Sequence, residues 1–165
     1  MPLTLALFDL PDSHRHVLAR LVELIPPDVF CWAITGSVGL RLQGVDTPVH
    51  DIDIQAEQQT IYAIEKRLSE FMKTPVHVWE SPAMRSLGGK AVVEGVEVEL
   101  LANIAHQMHD GSWVAFTDFS RLVWIDLNGL RVPSFPLEDE LASYEAMGRR
   151  EKATLIRQTI QQRKT

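Results

Sequence analysis

Hydrophobic positions along the chain alternate between helical spacing and strand-like runs, so the pattern predicts a mixed fold. Val17, Leu18, Leu21, Val22 and Ile25 recur at a spacing near 3.6, which predicts a first amphipathic helix with Ser13 as its cap. Pro26-Pro27 ends it, because proline lacks the amide that another turn requires. Residues 29–34 form a continuous apolar run with β-branched and aromatic members, which predicts a buried strand. Cys31 inside that run reads as a buried, inert thiol. Gly36 breaks the run, residues 38–43 predict a short helix stopped at Gly44, and residues 45–50 a loop. Residues 51–55 are the next strand. Ile61, Ile64, Leu68 and Phe71 then share one face of a second amphipathic helix.

Strand-like patterns return over residues 76–79, 90–94 and 96–102, the last two joined near Gly95, with a short fragment at 113–116. Residues 121–126 and 130–133 flank Asn128-Gly129, the favoured two-residue hairpin turn. Pro136 introduces a helix with Leu137, Leu141, Tyr144 and Met147 on one face, and Gly148 closes it. Its first-turn acids, Glu138 and Asp139, suit the positive end of the helix dipole. A last helix carries Ala153, Ile156 and Ile160. The predicted class is α/β (α+β), a mixed β-sheet flanked by helices. One domain over residues 1–165 is expected, with a core at about 13–133 and C-terminal helices at about 136–163.

A chain of 165 residues buries roughly 70% of its unfolded surface and needs no covalent staples. Cys31 is the sole cysteine, which excludes an internal disulfide and a multi-cysteine zinc site. The apolar start has no basic region and meets Asp9 at once, so it reads poorly as a signal peptide. No run approaches the roughly 20 apolar residues of a membrane span, and the expected compartment is the cytoplasm. The net charge of -6 is unevenly placed. From Arg149 onward six basic residues face Glu151 alone, and the rest of the chain is strongly acidic. An acidic body argues against nucleic acid as a partner, and the basic tail reads as a solvated helix face.

The candidate chemistry lies in residues 34–54. A Gly36-Ser37 turn opens a helix, and His50-Asp51-Ile52-Asp53-Ile54 follows. Two residues apart in a strand, Asp51 and Asp53 share a face, while Ile52 and Ile54 bury the other. Paired carboxylates suit Mg²⁺, which takes hard oxygen ligands and completes its shell with substrate phosphates. Gly36 lets a phosphate approach the backbone, and the helix-start amides and the Ser37 hydroxyl supply donors. A third acid is expected from the strand holding Glu97 and Glu99, of which Glu99 is preferred. His106 and His109 are three apart but lack a third ligand, so they read as surface or loop residues. His14 and His16 are ordinary helix positions, and His50 sits beside the acid pair. Trp32, Trp79, Trp113 and Trp124 mostly fall in strand-like runs and read as packing.

These residues resemble the signature of the DNA polymerase β-like nucleotidyltransferase superfamily, and in particular its small members. Those are the minimal nucleotidyltransferases and the aminoglycoside or lincosamide nucleotidyltransferases. The resemblance covers residues 34–54, with a softer likeness over residues 141–152. It implies a nucleotidyltransferase fold, dependence on Mg²⁺ or Mn²⁺, and transfer of NMP from an NTP to a hydroxyl of a small molecule or partner protein. It implies Asp51 and Asp53 as metal ligands, and Gly36 and Ser37 as triphosphate contacts. The third carboxylate, commonly aspartate in the family, is here Glu99 or Glu97. Arg41, Arg149 and Lys152 are the basic candidates for the triphosphate. The competing expectation is an inactive module on the same fold that binds a partner protein or nucleotide.

Overall fold

A nine-stranded mixed sheet runs through the computed structural model, which describes residues 3–164. Its strands are β1 (Leu3–Leu5), β2 (Ala33–Thr35), β3 (Ile52–Gln55), β4 (Met72–Glu80), β5 (Met84–Val93), β6 (Val96–Gln107), β7 (Trp113–Val114), β8 (Val123–Leu127) and β9 (Leu130–Ser134). The order across the sheet is β1-β8-β9-β2-β3-β6-β5-β4, and β7 pairs with β6. The pairs β1–β8, β9–β2 and β3–β6 are parallel and the others antiparallel. The helices are α1 (Asp12–Leu24), α2 (Pro27–Phe30), α3 (Gly36–Leu42), α4 (Gln58–Arg67), α5 (Leu137–Ala146) and α6 (Arg150–Arg163).

The two faces of β3 and β6 serve different ends. Ile52, Ile54, Val98 and Leu100 enter the main core with Val17, Leu18 and Leu21 of α1 and Ile61 and Ile64 of α4. Alternation therefore turns Asp53, Gln55, Glu99 and Leu101 to the opposite face. There α5 lies across the sheet. A second apolar cluster of Leu40, Val45, Leu137, Tyr144, Ala153 and Ile156 ties α5 and α6 to α3. Both C-terminal helices thus pack against the helix that opens at Gly36. Among the described residues no helix is long and apolar enough to cross a membrane.

Several expectations from the pattern are corrected. Residues 29–34 are not one strand. Pro27 begins the short helix α2, and Cys31 ends it in the left-handed region at φ 42°, leaving only Ala33–Thr35 in the sheet. Cys31 is exposed rather than buried, because the helix carries it out of the core. The first helix begins at Asp12 after Pro11, and no side chain caps it. His106 is a buried residue of β6 and His109 lies in the turn beyond, so the two share no helical face. Trp79 is exposed at the end of the edge strand β4. Strand β1 has three exposed residues and pairs along β8. Alternation carries no signal over so short a stretch.

Candidate active site

The short strand β2 delivers the chain into α3 at Gly36, whose φ of 70° is a conformation that residues with a Cβ resist. The adjacent strand β3 brings Asp53 directly against that turn. A Cβ added to Gly36 would overlap Asp53 Oδ2 and stand 3.1 Å from its Cγ. Glycine is required here twice, for its backbone conformation and for the carboxylate beside it. The Ser37 hydroxyl accepts from the His50 amide at 3.0 Å, pinning the loop before Asp51 to the helix start. Its own proton remains available to an oxygen acceptor.

Parallel pairing of β3 with β6 sets Asp53 opposite Glu99. Their carboxyl groups meet on a face that α5 covers. Burial, then the hydrogen bond and charge of Glu99, then Asp51 and Glu140, push the Asp53 carboxyl up to about 8. Among the described residues Asp53 Oδ1 is buried with no hydrogen-bond partner. Such a pair is held together by a shared proton or by a cation. The donors are all hard oxygens, so Asp53 and Glu99 fit a divalent ion that takes its other ligands from phosphate and water.

Asp51 precedes β3 in a bend and acts on Asp53 through its charge. Among the described residues no three Asp, Glu, His or Cys side chains converge as a ligand set. Glu97 points its half-exposed carboxylate toward Lys90, 3.9 Å away, and lies outside the cavity that Glu99 lines.

That cavity, about 390 Å³, opens between α5 and the sheet face. Gly36, Asp53, Glu99 and Glu140 line one end of it. Glu140 is fully enclosed, accepts from the Thr35 hydroxyl at 2.6 Å, and is pushed up to about 7 by burial. It was absent from the sequence candidates. Its signal was faint: Glu140 shares a helical face with Leu137, Leu141 and Tyr144. Lys90 also lines the cavity, from an alternating strand that gave it no distinction.

The basic candidates separate. Arg149 reaches the cavity, with its guanidinium 5.1 Å from the centre of the Tyr144 ring. Lys152 instead donates to the Thr47 hydroxyl, and desolvation lowers its pKa. Arg41 points away, donating to the Asp9 carbonyl at 2.9 Å and lying over the Phe8 ring.

A mixed sheet whose glycine-serine helix start abuts carboxylates on neighbouring strands is the nucleotidyltransferase fold. The family model for aminoglycoside-2''-adenylyltransferase matches residues 17–157, and the chain belongs to that family. A crystal structure of a candidate nucleotidyltransferase from Thermotoga maritima superposes with a TM-score of 0.78 at 29% identity, over 94% of this chain and 98% of that one. A Helicobacter pylori protein, JHP933, aligns at 10% identity with a TM-score of 0.40, covering 82% of this chain and 57% of its own. Among curated proteins no match was found.

Proposed function

We propose that the protein transfers a nucleoside monophosphate from an NTP to a hydroxyl, with a divalent cation, Mg²⁺ or Mn²⁺, at the carboxylates. The observation that carries this reading is the close approach of Asp53 to Gly36, with Glu99 beside it in register. It supports a cation held beside backbone amides that suit a triphosphate. A bound cation would hold Asp53 and Glu99 charged together and neutralise the phosphates.

The chain's own groups account for the remaining steps. Gly36 and Ser37 hold phosphate oxygens, and Arg149 offsets charge from the C-terminal side. The acceptor oxygen bonds to the α-phosphorus as the bond to the bridging oxygen breaks. Pyrophosphate leaves with that electron pair, and the hydroxyl proton passes to Glu99. Tyr144 and α5 cover the carboxylates and limit the water that competes with the acceptor.

Calorimetric titration of ATP and GTP, with and without Mg²⁺, tests the reading on wild type and on Asp51→Asn/Asp53→Asn. Metal-dependent binding that disappears in the double variant is expected. Nucleotide binding indifferent to both metal and mutation would sink it. A second reading, a nucleotide- or partner-binding module without turnover, draws on Asp51 standing apart from the Asp53–Glu99 pair. It predicts metal-independent binding and no pyrophosphate release with any alcohol.

A further inference from the structure

Away from the carboxylates, the same cavity changes character. Its far wall is built from the extended ends of β4, β5 and β6, and presents Trp79, Met84, Leu101 and Ile104, with Met147 opposite. Among the described residues no carboxylate lines that half: the acids of the cavity, Asp53, Glu99 and Glu140, gather at the Gly36 end. The other titratable groups of the lining are His77, Lys90, His106 and Arg149. Of these, Lys90 sits in register with Glu99 and Arg149 lies against Tyr144, both at the acid end, and burial holds the His106 ring toward its neutral form. A polyamine seated in the far half would therefore meet apolar surface with nothing to offset its charge.

The floor carries a second, independent sign of a ligand. Gln55 is 3% exposed, and its Nε2 donates to the Thr117 hydroxyl at 2.8 Å. Among the described residues its Oε1 is buried with no hydrogen-bond partner. A buried acceptor left unpaired is destabilising, and a ligand donor would recover that loss. Trp79, 47% exposed at the rim, offers a flat apolar face. A space of this size suits a ligand of one or two fused rings.

We infer that the acceptor is an uncharged, planar aromatic alcohol with an N–H or O–H donor for Gln55, rather than a polycationic amino sugar. This rests on the transfer reading for the word acceptor alone; the ligand chemistry of the wall stands on its lining. The ring system packs on Trp79, Met84 and Leu101, its donor reaches Gln55, and its free hydroxyl extends toward Glu99.

Ligand-observed NMR titration on the full chain, without nucleotide, tests this with a matched pair. Tryptophol and tryptamine share an indole and differ in carrying a hydroxyl or an ammonium; kanamycin serves as the polycation. Tryptophol is expected to bind at least tenfold tighter than either. Trp79→Ala should weaken it about tenfold while Trp79→Phe retains most of the affinity. Met84→Asp, which supplies a carboxylate to the wall, should shift preference toward tryptamine. Methylating the indole nitrogen should weaken binding to wild type but not to Gln55→Leu.

Equal or tighter binding of tryptamine or kanamycin would overturn the inference, as would failure of tryptophol to bind. Competitive displacement by MgATP would also overturn it, by giving the wall to the nucleobase. Tryptophol binding in a protein that ignores MgATP would support the wall's ligand chemistry and defeat the transfer reading, so the two failures separate.

Discussion

Gly36→Ala should damage this protein through two separable causes, and a second substitution can pull them apart. The first cause is the backbone: at φ 70° an alanine meets a left-handed penalty of about 1–2 kcal/mol. The second is steric. The new methyl would overlap Asp53 Oδ2 and approach Cγ to 3.1 Å, so the carboxylate has to leave its place beside the turn. Overpacking of this kind costs about 1–3 kcal/mol. The total is then roughly 2–5 kcal/mol. In an Asp53→Ala background the carboxylate is gone and the nearest remaining atom, the residue 53 Cβ, lies 3.4 Å away, an ordinary contact. There the cost falls to the backbone part alone. Urea denaturation of the four proteins, followed by circular dichroism, gives the coupling energy directly. A coupling of about 1–3 kcal/mol is expected. Equal costs in the two backgrounds would refute the argument that Gly36 is needed for the carboxylate beside it. Metal-dependent ATP binding should also be lost in Gly36→Ala, since the displaced Asp53 is the proposed ligand.

Glu140 supplies a pH dependence. Its carboxyl titrates at about 7 in the folded chain against 4.5 in the unfolded one, so the unfolded state ionises first. Its contribution to stability is therefore fully present below pH 4.5 and lost as pH rises through 7, by roughly 3 kcal/mol. Urea midpoints of wild type and Glu140→Gln should nearly coincide at pH 4.5, with the variant more stable at pH 8; a variant less stable at pH 8 would contradict this. Arg149→Ala should weaken MgATP binding at least tenfold, while Arg41→Ala, whose side chain faces Asp9 and Phe8, should change it less than threefold by calorimetry. Arg121 Nη1 lies 3.1 Å from Asp139 Oδ1, and Asp139 is 5% exposed. Removing that partner in Arg121→Ala should cost about 1–3 kcal/mol in urea unfolding, and Asp139→Asn should restore part of it.

Much of this protein was determined by the sequence because the causes are local. The glycine-serine turn, the alternation of Ile52, Asp53 and Ile54 and the Asn128-Gly129 hairpin each act within a few residues, and the fold class follows from their order. Asp51, expected in the same strand, lies in the bend before it. Helix α6 was legible for the same reason, its buried residues recurring at helical spacing. Where a local rule competed with another, the pattern misled: Pro27 starting a helix won over the apolar run that followed it.

Tertiary structure alone decided what meets what. Glu97 and Glu99 are indistinguishable by pattern; only the parallel register of β3 with β6 sets Glu99 opposite Asp53 and leaves Glu97 toward Lys90. Arg149 and Lys152 lie three residues apart, yet the packing of α6 on α5 sends one to the cavity and the other to Thr47. Glu140 and Gln55 gain their character from burial, and burial is a property of the assembled layers. Sequence spacing sets which face a side chain occupies, whereas its partners across the sheet are contributed by segments tens of residues away. Which of those segments come together is settled by how the two apolar clusters close around the sheet.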